Sequence, residues 1–328
     1  FNFILEKIED KIIDPLTKGK LKLKAKRGIG MLLTYAIVFS LLYIFTLILF
    51  PQLVLSVVKF VNEVTDNFEE ISLMVNNLIS RINLRPDFMD YVIQWWDDLL
   101  TQAFEFLKGL VPILGNIARI IFSSIWNIVL GIVVSAYLLF EKERFKALSK
   151  KITYAVFSKK RADRTTELAK RADTIFGRFL SGKILDSLII GVLTYVVLLI
   201  FKIPFPILVS FIIGLTNIIP FFGPFIGMVP SFFIILIISP LKALWFLLII
   251  FVIQQIDGNI IGPKILGDSL GISAFWILFS LLIAGKLLGL IGLIIGVPLF
   301  VFIYSIIKDN VEDKLEKRGL PVETNKYL

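Results

Sequence analysis

The residues best suited to chemistry in this chain stand in apolar surroundings. Gln254-Gln255-Ile256-Asp257-Gly258-Asn259-Ile260-Ile261-Gly262-Pro263-Lys264 places amides, one carboxylate and one ammonium between long apolar runs. In hydrocarbon such groups need protein partners or a water-filled cavity, which makes them candidates for a solute or ion pathway. The other reading of this stretch is a wet cytoplasmic loop that caps a helix, since Gly258, Gly262 and Pro263 are also ordinary loop residues. Asp186 is the acid within the apolar run 184–201 and lies one helical turn from Lys183. It serves either as the partner of that lysine or as a group that couples transport to a proton or cation. A third stretch runs from Asn217 through Pro220 and Gly223 to Pro224. Proline lacks an N–H and interrupts helical bonding, so backbone groups near it are free to meet a solute. Together Asn217, Gln255 and Asn259 offer hydrogen bonds to a hydroxylated solute, with Gln254 beside them in the candidate pathway. Asp257, with Asp186 second, offers a carboxylate to Na+ or H+.

The chain of 328 residues contains no Cys and no His. That excludes disulfides, thiol nucleophiles, imidazole proton relays, His metal sites and Ser-His-Asp catalysis. No Walker-type Gly-Lys-Ser/Thr loop is present, so transport is expected to be passive or coupled to an ion gradient. No enzyme activity and no cofactor are expected. The net charge of +9 does not point to nucleic acid, because the basic residues flank apolar runs and carry no interleaved aromatic platform.

Positioning such groups requires membrane-inserted helices. With 57% hydrophobic residues, 30 Phe and a mean hydropathy of +0.85, the chain has more apolar surface than one soluble core can bury. The expected fold is an all-α polytopic membrane protein. It would have about six to eight inserted helical segments, including broken or re-entrant hairpins, and an extracytoplasmic helical hairpin. Residues 1–28 form a basic cytoplasmic segment, and 29–50 a span ended by Pro51. In 51–116, Leu53, Val57, Phe60 and Val64 open a heptad seam, and a second seam includes Val92, Trp96 and Leu99. The two seams either bury one another or, with Trp95, hold copies of the chain together. Acids from Glu63 to Glu105 dominate this loop and place it outside, whereas the basic 141–183 segment lies in the cytoplasm. A span at 117–140 joins them. Residues 184–307 form the transport region, and 308–328 a cytoplasmic tail.

Within that region the apolar pieces 207–219 and 225–238 are short for a hydrocarbon core of about 30 Å. They suit a hairpin turning at Asn217 to Pro224. The pieces 272–284 and 287–307 meet at Gly285-Lys286. A shift of 69 residues superimposes Gly223 on Gly292 and Gly227 on Gly296. The two hairpins therefore read as repeats, of inverted topology if the intervening segment crosses, a pattern that points to a substrate site between them.

These residues resemble the autoinducer-2 exporter family of membrane permeases. The likeness rests on Ser181-Gly182-Lys183, on Asn217-Ile218-Ile219-Pro220-Phe221-Phe222-Gly223-Pro224-Phe225-Ile226-Gly227, and on Gln255-Ile256-Asp257-Gly258-Asn259 with Gly262-Pro263-Lys264. The Gly-rich stretch through Pro298 adds to it. The resemblance implies export of a small polar solute, autoinducer-2 in some members and sodium/proton exchange in others. It also implies a homo-oligomer, with a pentamer among the options. The charge pattern, with an even number of passes in each hairpin, leaves the C-terminus cytoplasmic, and the expected location is the cytoplasmic membrane. Two hydrophobic segments usually precede the first span in that family, so sequence upstream of Phe1 is expected. Many relatives carry Gln where Lys183 stands, which puts a ligand contact at Lys183 in doubt, and Glu where Asp257 stands. A sodium/proton antiporter and a non-transporting scaffold are the rivals. The scaffold reading expects a dry C-terminal half with Asp257 exposed in a loop.

Overall fold

A computed structural model of the chain describes residues 9–17, 23–66, 125–266 and 272–327, with isolated residues between them. Among the described residues every regular element is helical. Most of the expected extracytoplasmic hairpin, from residue 67 to 116, including the second seam and Trp95, lies outside them.

The chain divides into two compact units, one built from residues 1–145, 195–211 and 230–248 and the other from 146–194, 212–229 and 249–328. In the first, α1 (Leu23–Ile44) continues through a π-helical turn (Phe45–Leu49) into α2 (Phe50–Asp66). Pro51 therefore does not end the helix, as the sequence suggests. The Phe50 N–H reaches back to the Phe45 carbonyl, and this wider turn makes room for a ring that would clash with a regular one. The predicted seam is present in α2, where Leu53, Val57, Phe60, Val61 and Val64 are buried. Phe60 packs edge-to-face on Phe205 at 5.3 Å. At least this part of the seam is covered within its own unit. The apolar helix α3 (Ile125–Phe140) is tied to α1 by the Tyr35 hydroxyl, which donates to Ser135 Oγ at 2.9 Å. Below it, buried Arg27 holds Glu9 at 3.3 Å, the Leu139 carbonyl at 3.4 Å, and both carboxylate oxygens of Glu143. A guanidinium fork suits this task because its donors are planar and always charged.

After α4 (Lys142–Val156), helix α5 runs unbroken from Lys159 to Ile200. Its 42 residues extend roughly 63 Å, about twice the hydrocarbon thickness, so the basic first half stands outside lipid. Sequence boundaries put a separate basic element before a crossing at residue 184. One helix instead carries both. Its basic half is fastened to the end of α10 (Ala274–Lys317) by Arg171 with Asp309 and Arg164 with Asn310.

The hairpin predicted around Asn217 forms from α6 (Pro206–Thr216) and α7 (Gly223–Ile238). Eleven residues give α6 only about 16 Å, too short to cross alone. Phe221 turns the chain at φ 61°. A Cβ on Gly223 would lie 2.1 Å from the Thr216 carbonyl, and one on Gly227 would lie 2.3 Å from Thr216 Oγ1. The second hairpin is folded from α10 and turns at Gly289, with φ 60° and ψ −138°, instead of at Gly285-Lys286. That backbone region is closed to side chains, so glycine decides the place of the turn. Here a Cβ on Gly292 would lie 1.8 Å from the Ala284 carbonyl, and one on Gly296 2.6 Å from Ala284 Cβ. The two hairpins thus close in the same way: Thr216 and Ala284 take one part, Phe221 and Gly289 another, and the matched glycine pairs a third. Phe179, Leu281, Val297 and Val301 form a buried core in this second unit.

Between the two hairpins in sequence lie α8 (Pro240–Ile256), a π-helical turn (Asp257–Ile261) and α9 (Gly262–Leu266). The helical run Pro240–Ile265 is apolar and long enough to cross a membrane, as are Ala25–Asp66, Lys159–Ile200 and Phe275–Lys317. Large exposed apolar side chains such as Leu32, Val192, Leu248 and Leu282 cover these helices, a surface that lipid, and not water, can solvate.

Candidate functional site

On α5 the buried positions Phe179, Lys183, Asp186 and Ile190 recur at helical spacing and form one inward stripe. Lys183 Nζ lies 2.6 Å from Asp186 Oδ2, and both side chains are almost wholly buried. The same oxygen accepts a hydrogen bond from Asn217 Nδ2 at 3.1 Å. Asn217 arrives at the start of the α6–α7 turn and is fully buried. The sequence left open whether Asp186 pairs with Lys183 or serves transport, and the geometry gives it the pair while placing it in the site.

Asp257 comes from the other side. It opens the π-helical turn after α8, in which the Gly262 N–H bonds to the Asp257 carbonyl, and it is only 8% exposed. The polar stretch 254–264 is thus helical and does not form a wet loop. A π-turn inserts one residue into the helix and resets the side-chain register, a device common at functional positions. Asp257 lines the same cavity as Asp186, Asn217 and Lys183. Two carboxylates and one ammonium thus come together in an apolar setting, with the ammonium paired to Asp186.

A cavity of about 440 Å³ opens at this cluster, within one compact unit. Its polar lining is Lys183, Asp186, Asn217, Gln254, Gln255 and Asp257, and its walls are apolar, among them Phe179, Phe221, Phe225, Met228, Phe251 and Val297. Asp186 Oδ1, Asn217 Oδ1, Asp257 Oδ1 and Gln254 Nε2 are buried and lack a hydrogen-bond partner. Three acceptor oxygens and one donor of the lining residues are thereby without a protein partner. Buried polar atoms without partners are costly, which makes this cavity the candidate site.

Of the residues the sequence singled out, Asp186, Asn217, Pro220, Pro224, Gln254, Gln255, Asp257 and Gly262 line this cavity. Three do not. Gly223 is pressed on the Thr216 backbone and serves the hairpin. Pro263 is exposed, and Asn259, also exposed, returns its amide N–H to the Gln255 carbonyl at 2.8 Å and to Gln255 Oε1 at 3.1 Å. The predicted hydrogen bond from Asn259 to a solute thus has no donor facing the cavity. Sequence reasoning doubted Lys183 and missed Phe179, Phe221 and Met228. The i, i+4, i+7 spacing of Phe179, Lys183 and Asp186 was the available signal.

The sequence model for AI-2E family transporters matches residues 11–312. Among similar proteins is Putative transport protein YrrI of Bacillus subtilis (strain 168), 31% identical over 72% of this chain and 67% of its own length. Putative transport protein YueF of the same organism is 26% identical over 95% of this chain and 86% of its own length. A further relative, Putative transport protein sll0063 of Synechocystis, is 39% identical over 32% of this chain and 26% of its own length. With several helices long and apolar enough to cross a membrane and a family match over nearly the whole sequence, this chain is a multi-pass membrane permease that belongs to the AI-2E transporter family.

Proposed function

We propose that this permease moves a small polar solute of the autoinducer-2 type across the cytoplasmic membrane, with its C-terminus in the cytoplasm and copies assembled into a homo-oligomer. The single observation that supports the reading is the apolar-walled cavity with four unpartnered polar atoms at its polar end. Its volume falls in the range of sites for small organic ligands, about 300–1,000 Å³. Asn217 and Gln254 hydrogen-bond the hydroxyls of the solute, and Phe179 and Phe221 cover its carbon faces. The two hairpins, short, tightly closed and alike in construction, act as the repeated elements that border the path.

Transport is driven by an ion gradient or runs passively. Lys183 compensates one of the two carboxylates, so the ionised cluster retains one negative charge that a proton or Na+ balances on entry. Asp257 is the carboxylate with the weaker set of partners and carries that ion. Uptake and efflux of labelled solute in proteoliposomes under imposed Na+ and pH gradients test the reading. Asp257→Asn should abolish the gradient dependence, and unchanged coupled flux in that variant would reject the role.

The carboxylate pair also supports a second reading, a sodium/proton antiporter that needs no organic solute. Proton movement driven by Na+ in vesicles free of solute favours that reading, and solute flux without such exchange favours the first. A scaffold without transport has no use for a buried Asp257 at a cavity.

A further inference from the structure

The 15-residue helix α4 presents an apolar face for which the described residues supply no cover. Phe145, Leu148, Ile152 and Val156 follow one another at steps of three and four, and they are 46%, 50%, 56% and 70% exposed. None of the helix is buried. Arg144 and Lys151 stand on one flank of this stripe and Lys146 on the other, with Lys150 behind it, at about 100° per residue. The polar back of the helix is occupied instead: Glu143 takes the fork of Arg27, and the Tyr154 hydroxyl donates to Asp163. These contacts fix the rotation of the helix and leave the apolar stripe turned away from them.

α4 begins two residues after the end of α3, an apolar helix with large exposed side chains to its last residue, Phe140. Its start therefore lies at the margin of the hydrocarbon. A short helix at that margin, apolar on one face and basic on both flanks, matches a layer that is apolar below and negatively charged above.

We propose that α4 lies in the cytoplasmic surface of the bilayer as an anionic-lipid-binding helix, with Phe145, Leu148, Ile152 and Val156 in the acyl boundary and Arg144, Lys146 and Lys151 on lipid phosphates. Long basic side chains suit this task because their stems cover apolar surface while their heads reach the headgroups. The adjoining Arg27–Glu143 fork links this lipid contact to the foot of α1. The inference is independent of the solute and of the coupling ion.

The absence of Cys from the chain makes the test direct. Leu148→Cys, Ile152→Cys and, on the polar back, Ala147→Cys are made separately in the full chain, labelled with an environment-sensitive fluorophore and reconstituted in vesicles. In vesicles containing phosphatidylglycerol, lipid-borne quenchers at the acyl boundary should quench the Leu148 and Ile152 labels at least roughly twofold more than the Ala147 label. High salt, or Arg144→Gln with Lys146→Gln and Lys151→Gln, should reduce that difference, because surface attraction is screened over about 8–10 Å. The inference is overturned if all three labels are quenched alike, if phosphatidylcholine vesicles give the same contrast, or if unlabelled Ile152→Cys crosslinks between copies, which would make the stripe a subunit contact.

Discussion

Lys183 Nζ rests 2.6 Å from Asp186 Oδ2, one turn apart on the same helix, and Asn217 binds that oxygen from a different element. The ion pair is thus both local and tertiary: α5 supplies the charge balance, and the turn between α6 and α7 fixes its direction. The other oxygen of Asp186 is left without a protein partner.

Removing the ammonium leaves a buried carboxylate without its counter-ion. Lys183→Met should therefore destabilise the protein by about 3–5 kcal/mol, whereas Lys183→Met with Asp186→Asn should regain most of the loss. Thermal unfolding in detergent checks this, and equal losses in the single and double variants would refute the pairing.

Asn217 joins the turn to the ion pair. Asn217→Leu keeps approximate volume but removes the donor to Asp186, at a cost of about 1–3 kcal/mol, and lowers solute flux further than stability alone explains. Flux per folded protein, with folding scored by size-exclusion chromatography, separates the two effects.

The close approaches in the hairpins predict a graded response to alanine. Gly292→Ala, whose Cβ would meet the Ala284 carbonyl at 1.8 Å, should destabilise by about 3 kcal/mol or more, and Gly223→Ala by a similar amount. Gly28→Ala has open space and should be neutral or stabilising by roughly 0.5–1 kcal/mol. Unfolding midpoints for the three variants rank them.

Hydrogen bonds from Arg27 hold the Glu143 carboxyl below its ordinary value of 4.5. A depressed folded pKa contributes stability that is present above the unfolded value and is lost as pH falls through the folded one. Acidification below about pH 4.5 should therefore weaken the tie between α1 and α4, and Glu143→Gln should flatten that part of the stability-versus-pH curve. The pH dependence of unfolding for the two proteins is the measurement, and superimposable curves would count against the contribution.

Hydrophobic runs made the helical membrane fold legible, because a span depends on the local sum of side-chain transfer energies. The seam of α2 was legible for the same kind of reason, since period alone selects Leu53, Val57, Phe60 and Val64. Breaks were read less well. Pro51 is carried through by a π-turn, and the second hairpin turns at Gly289 and not at Gly285, because a proline or glycine permits a break without requiring one. What requires it is the packing of the arms, seen where Ala284 meets Gly292.

The sequence by itself determined that lipid must solvate this chain, that imidazole and thiol chemistry are absent, and that Asp186, Asn217 and Asp257 are the polar groups whose burial needs a reason. Only the tertiary structure decided that these three meet around Lys183 at one cavity while Asn259 turns back on its own helix. Polarity and period are properties of neighbours along the chain. The convergence of side chains from α5, the α6–α7 turn and the turn after α8 depends on long-range packing, which local sequence spacing does not encode.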